Sequence, residues 1–224
     1  MGSPILASPL NETQIKSELQ KKMGSSANVK SVSASPVPGL YEVLVGGDVF
    51  YTDVNGKYLI QGDIIELASG KNITEQRQSD LNQIHWSDLQ PANSIKIVRG
   101  NGARQIAVFA DPNCGYCKKL EKSFQELDNV TIYTYLIPIL SADSTTKAKQ
   151  IWCSADSAKA WTNWMLNGSI PSGKGDCNTP IEKNMAQAKT FGVTGTPTLF
   201  FTDGSRFPGA AKVSDIEKKL SSLK

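Results

Sequence analysis

The chain has 224 residues, 39% of them hydrophobic and 20% charged, which excludes a disordered or fibrous protein and leaves room for two modest cores or one core with an insertion. Its net charge of +3 comes from lysines scattered among acids, as in Glu121-Lys122 and Glu217-Lys218-Lys219; without a concentrated basic stripe to displace counterions, nucleic acid is not expected as a partner. No run approaches the roughly 18 apolar residues of a membrane span.

The opening Met1-Gly2-Ser3-Pro4 reads as an expression scar and residues 1–10 as a tail, with an export signal expected to have been removed ahead of it. Asn11 then caps a helix to about Lys22, since Gln14 stands at the third helical position and Ile15, Leu19 and Met23 recur every four residues. Gly24 ends it. From Val29 to about Ala68 short β-rich runs follow, among them Tyr41–Val45, Val49–Thr52 and Lys57–Ile60, separated by Gly46-Gly47 and Asn55-Gly56. This first block, residues 11–73, is small and β-rich, with strand edges it cannot bury by itself, so pairing with a second copy is expected. The polar stretch from Thr74 to Leu89, stopped by Pro91, predicts a helical linker over residues 74–92.

The second block, residues 93–224, begins with Ile95-Lys96-Ile97-Val98, turns at Gly100-Asn101-Gly102, and resumes as Ile106–Ala110, an apolar run suited to a strand buried on both faces. Asp111-Pro112-Asn113-Cys114-Gly115-Tyr116-Cys117 follows, then a helical pattern through Phe124. Val130–Ile137 reads as a strand, Ser144 to Phe191 as a long helical stretch forming an insertion over about 141–190, Thr198–Phe201 as a strand, and Ser214 to Leu223 as a closing helix.

The cysteines at 114, 117, 153 and 177 are even in number, which fits two disulfides and raises the question of a metal. Zinc is not expected, because one close pair followed by two separated cysteines lacks the second close pair of a zinc ribbon, and the lone His85 is remote in sequence. The Cys114-Gly115-Tyr116-Cys117 pair lies at a strand-to-helix junction. A cysteine at a helix N-terminus meets unpaired N–H groups and a partial positive charge, so it gains the thiolate character that nucleophilic attack requires. The spacing of two then predicts an exposed attacking sulfur on Cys114 and a nearby resolving sulfur on Cys117. Gly195-Thr196-Pro197-Thr198 precedes an apolar strand, where an ordinary strand-entry proline and a cis proline are both compatible with the residues.

These motifs resemble the thioredoxin superfamily, and more closely the dimeric bacterial periplasmic disulfide isomerases of the DsbC and DsbG type. The resemblance spans residues 11 to 224: Phe50-Tyr51-Thr52-Asp53 and Gly56–Gly62 in the first block, then Cys114–Cys117, Ile151-Trp152-Cys153 and Gly192–Pro197 in the second. The Gly-Tyr pair and the extra cysteines Cys153 and Cys177 look like DsbC, whereas Ala110-Asp111-Pro112 looks more like DsbG. The resemblance implies an α+β, cystatin-like N-terminal dimerisation domain, a helical linker and an α/β thioredoxin-like catalytic domain with a helical insertion. It also implies a periplasmic homodimer whose cleft receives misfolded disulfide-containing exported proteins, a cis Pro197 with Thr196 beside the bound peptide, reduction by a membrane-bound reductase of the DsbD type, and no cofactor. Cys153 and Cys177 are expected to form a structural disulfide, anchoring the Gly- and Ser-rich loop between them in an oxidising compartment.

The function expected is therefore thiol:disulfide isomerase or reductase chemistry. Two alternatives stand beside it: a DsbG-like reduction of sulfenylated cysteines, which the same thiolate can attack, and a redox-independent chaperone that holds unfolded chains.

Overall fold

The computed structural model describes residues 10–223; residues 1–9, with the scar read at Met1–Pro4, lie outside the described residues. The chain divides into two compact units between Leu81 and Asn82.

In the first unit, helix α1 (Glu12–Met23) starts at a complete capping box: Gln14 N donates to Asn11 Oδ1 at 2.9 Å, and Asn11 N donates to Gln14 Oε1 at 3.0 Å. The box satisfies two N–H groups that a helix start leaves unpaired, stabilising it by about 1 kcal/mol. Ile15 and Leu19, one turn apart, face Val29, Val32 and Val43 to form this unit's core. Those valines lie on an antiparallel sheet of β1 (Val29–Ala34), β2 (Leu40–Val45), β3 (Asp48–Asp53) and β4 (Leu59–Ile60), in that spatial order. Gly46-Gly47 is the two-residue turn between β2 and β3, with Val45 opposite Asp48.

A two-stranded ribbon of β5 (Ile65–Glu66) and β6 (Lys71–Asn72) leads into helix α2 (Ile73–Leu81). The helix ends at Leu81, not near Leu89, and residues 86–88 and 91–93 form two short 3-10 turns instead. Helix α2 has no apolar stripe, and polar contacts tie it to the first unit. Thr74 Oγ1 lies 2.5 Å from Tyr51 Oη and accepts from Ile64 N, Gln78 Oε1 accepts from Val49 N, and Arg77 pairs with Glu42.

The second unit holds a five-stranded sheet in the order β11-β10-β8-β9-β7. In chain order its elements are β7 (Ile95–Arg99), β8 (Arg104–Ala110), α3 (Gly115–Phe124), β9 (Val130–Leu136), α4 (Ala142–Trp152), α5 (Ser157–Asn167), α6 (Ile181–Thr190), β10 (Thr198–Phe201), β11 (Arg206–Pro208) and α7 (Val213–Ser222). Strands β8 and β9 are parallel and the other pairs antiparallel. Ile106, Val108 and Ala110 of β8 pack on one face with Leu120, Trp161 and Ile216, while Ala107 and Phe109 pack on the other with Tyr135, Ala188 and Phe200. Both faces are covered, which is why Ile106–Ala110 of β8 and Leu199–Phe201 of β10 read as unbroken apolar runs.

The long helical stretch read over 144–191 is divided into the three helices α4, α5 and α6. Asp156 caps the start of α5 through Lys159 N, Gly168 ends it at φ +69, and Pro180 precedes α6, so local polar and turn residues override the continuous pattern. Strand β11 went unread because three residues, two half-buried and one exposed, carry no periodicity. Gly204, in the β10–β11 turn, has φ +83, and a Cβ there would stand 2.1 Å from the Ile84 carbonyl oxygen, so only glycine fits.

Candidate active site

Helix α3 begins at the close cysteine pair. Cys114 is its N-cap residue, and the Cys117 N–H points at Cys114 Sγ, 3.4 Å away. The sulfur thus takes the place that a serine or aspartate oxygen fills at other helix starts, facing the positive end of the peptide dipoles. Gly115 and Tyr116 between the cysteines are exposed, Tyr116 by 62%.

Leading into the neighbouring strand β10 is the Thr196–Pro197 segment, whose peptide bond is cis. Cys114 Sγ donates to the Thr196 carbonyl oxygen at 3.2 Å, bridging residues 82 positions apart. The Thr196 carbonyl therefore stands against the nucleophile candidate, with Pro197 next to it in the chain. The same segment overturns the expectation that Cys114 is exposed: it is only 5% accessible, because this segment packs over the helix start.

Cys117 is 3% accessible. Burial pushes its thiol well above the ordinary cysteine range, against a smaller opposing effect of the Asp111 backbone; the neighbouring Cys114 sulfur adds to the rise. A group shifted this way stays protonated, and unreactive, at pH values where a free thiol of pKa about 8.5 is partly ionised. In a Cys114→Ala variant, Cys117 is therefore expected to resist iodoacetamide at about pH 8 while the chain is folded and to react once it is denatured. Equal labelling rates in the two states, read by mass spectrometry, would remove the burial argument.

Residues that sequence reasoning missed complete the site. Asp111 is fully buried, and its carboxylate accepts from Asn113 N at 2.7 Å and from Leu140 N at 3.0 Å, while its carbonyl accepts from Cys114 N at 3.1 Å. Glu121, one turn after Cys117, is also buried; it accepts from Trp161 Nε1 at 3.0 Å, and burial raises its pKa against the opposing effects of Trp161 and Arg99. The signal was in the pattern. Cys117, Leu120, Glu121 and Phe124 form one inward stripe at helical spacing, so an acid at position 121 had to be buried.

Cys153 and Cys177 are joined by a disulfide with Cα atoms 5.7 Å apart, distinct from the Cys114–Cys117 pair, whose thiols are free. Cys153 is the C-cap residue of α4, and Cys177 lies in the segment before α6. The bond therefore pins the loop after α5 to the end of α4.

Two protein families match this chain: a thioredoxin-like domain over residues 91–224 and a disulfide bond isomerase protein N-terminal domain over residues 6–75. A probable thiol:disulfide interchange protein DsbC from Bordetella parapertussis is 40% identical over 193 residues, covering 86% of this chain and 68% of the relative. The thiol:disulfide interchange protein DsbC of Escherichia coli is 27% identical over 203 residues, covering 89% of this chain and 83% of its own length. Among solved structures, a disulfide interchange protein from Neisseria gonorrhoeae is 39% identical, with a TM-score of 0.57, covering 59% of this chain and 96% of that one.

Proposed function

The chain belongs to the DsbC family of thiol:disulfide interchange proteins, and on that premise we propose that it rearranges non-native disulfides in exported proteins, with Cys114 as the nucleophile. The observation that carries this reading is Cys114 at the start of α3, its sulfur met by the Cys117 N–H on one side and the Thr196 carbonyl on the other. A thiolate there attacks one sulfur of a substrate disulfide, forming a mixed disulfide and releasing the other substrate sulfur as a thiolate. When another substrate thiolate attacks the mixed disulfide, Cys114 is released and the substrate pairing has changed with no net oxidation. When Cys117, held beside the mixed disulfide, attacks instead and its proton passes to the departing substrate sulfur, the Cys114–Cys117 disulfide forms and the substrate leaves reduced, so the enzyme then needs an external dithiol reductant. A membrane-bound reductase of the DsbD type is the proposed source, and the periplasm the proposed compartment.

Thr196 and Pro197 are proposed to border the bound peptide, since the Thr196 carbonyl already meets the attacking sulfur and Pro197 follows it through the cis bond. The first unit is proposed to pair with a second copy. Its short edge strand β4 leaves Leu59 and Ile60 each 42% exposed, beside Tyr58 at 59%, and pairing would cover both the apolar side chains and the free backbone edge. Sedimentation of the intact chain at micromolar concentration is expected to give a dimer; a monomer alone would overturn the pairing.

The reaction is tested by refolding a scrambled multi-disulfide protein. The reduced enzyme is expected to restore substrate activity in catalytic amounts, while the enzyme with Cys114–Cys117 oxidised does not begin the exchange. Equal rates with both forms would sink the isomerase reading. Suppression of aggregation by both forms, without reactivation, would mark a redox-independent chaperone instead.

A further inference from the structure

Each of the three residues before Cys114 is held by a different part of the chain beyond β9. Asp111 Oδ2 accepts from Leu140 N at 3.0 Å, the Pro112 carbonyl accepts from Trp164 Nε1 of α5 at 2.6 Å, and Asn113 Nδ2 donates to Asp143 Oδ2 of α4 at 2.7 Å. The last two contacts close into a ring. Lys147 pairs with Asp143 at 2.5 Å and lies 4.8 Å from the Trp164 ring centroid, while Lys118, next to Cys117, lies 4.6 Å from the same centroid. Proline 112 has no N–H, so its carbonyl is the one backbone group there that a neighbour can grip by hydrogen bonding.

We infer that Trp164 and Asp143 are positioning residues for Cys114, through which the helical insertion sets how well the active-site sulfur is aimed. The inference rests on Cys114 being the nucleophile proposed above. The loop they hold runs directly into the N-cap, so slack at Pro112 and Asn113 becomes displacement of Cys114 relative to Thr196 and to the start of α3. A small misplacement of a reacting atom costs a large factor in rate. Trp164→Phe keeps an aromatic ring for the two ammonium groups and removes the N–H; Asp143→Ala removes the Asn113 bond, and Asp143→Asn can restore it because an amide oxygen also accepts.

The step to measure uses the full-length chain carrying Cys117→Ala, reduced at the active site with Cys153–Cys177 intact. Cys114 attacks glutathione disulfide, forming one protein–glutathione disulfide and releasing one glutathione thiolate, followed by mass spectrometry. Trp164→Phe and Asp143→Ala are each expected to slow this step about five- to tenfold, the scale of one lost hydrogen bond, with Asp143→Asn returning most of the rate. Asp156→Ala is the control, because it removes the N-cap of the same helix α5 without touching the loop, and it should leave the rate unchanged. Wild-type rates in Trp164→Phe and Asp143→Ala would overturn the inference, and so would equal slowing by Asp156→Ala or no recovery with Asp143→Asn. If a Cys114→Ala chain that keeps Cys117 formed the mixed disulfide as fast as the Cys117→Ala chain does, the proposed nucleophile itself would fall, whatever the other variants did.

Discussion

Replacing Cys114 by alanine is expected to reduce insulin reduction and scrambled-protein reactivation by at least ~10^3-fold, the largest effect of any single substitution in the chain, because no other group can form the covalent intermediate. Cys117 cannot take over: its thiol is buried at 3% accessibility and held protonated by that burial. Cys153 and Cys177 cannot either, since they are bonded to each other. Cys117→Ala should behave differently. The first attack survives, but the mixed disulfide is no longer resolved from within the protein, so reduction of insulin falls while covalent enzyme–substrate adducts accumulate on non-reducing gels. Retention of more than a few per cent of activity in Cys114→Ala would refute the assignment of the nucleophile. Fold integrity is checked by the four tryptophans, at 86, 152, 161 and 164, all of which lie in the second unit.

The double substitution Cys153→Ala, Cys177→Ala carries the second large effect, on stability. The bond closes a loop spanning a sequence separation of 24. Opening a loop of this size returns unfolded-state entropy worth about 3.5 kcal/mol in the chain-entropy account, although enthalpic and solvation effects compete with that mechanism. For a unit of this size the melting temperature is expected to fall by roughly 10 °C. The loss should register in tryptophan fluorescence during urea unfolding, because Trp152 adjoins Cys153 and Trp161 and Trp164 lie on α5, within the loop the bond closes. A midpoint unchanged from the wild type would show that the disulfide is not a stability element. The first unit has no tryptophan, so unfolding confined to it leaves this signal unmoved.

Much of the architecture was legible in local sequence. The capping box at Asn11 and Gln14, the two-glycine turn at Gly46-Gly47, the apolar run of β8 and the cysteine pair opening a helix each depend on residues within a few positions of one another, and backbone hydrogen bonding and side-chain periodicity act over that range. The resemblance to disulfide isomerases rested on the order and spacing of such motifs. Helix ends were less legible where weak local preferences competed: α2 stops at Leu81 although polar residues continue to Leu89, and turn residues divide the insertion into three helices.

The environment of the site was decided only by the tertiary fold. Whether Cys114 would be exposed depended on Thr196, 82 residues away, reaching its sulfur. The grip of Trp164 on Pro112 spans 52 positions, and that of Trp161 on Glu121 spans 40. Periodicity could mark Glu121 as inward-facing, but not name its partner. By itself the sequence determined which residues could carry thiol chemistry and which short segments would be helix or strand, because those depend on residue type and near neighbours. How buried, oriented and braced the reactive sulfur is follows from which distant segments pack together, and that is a property of the assembled core.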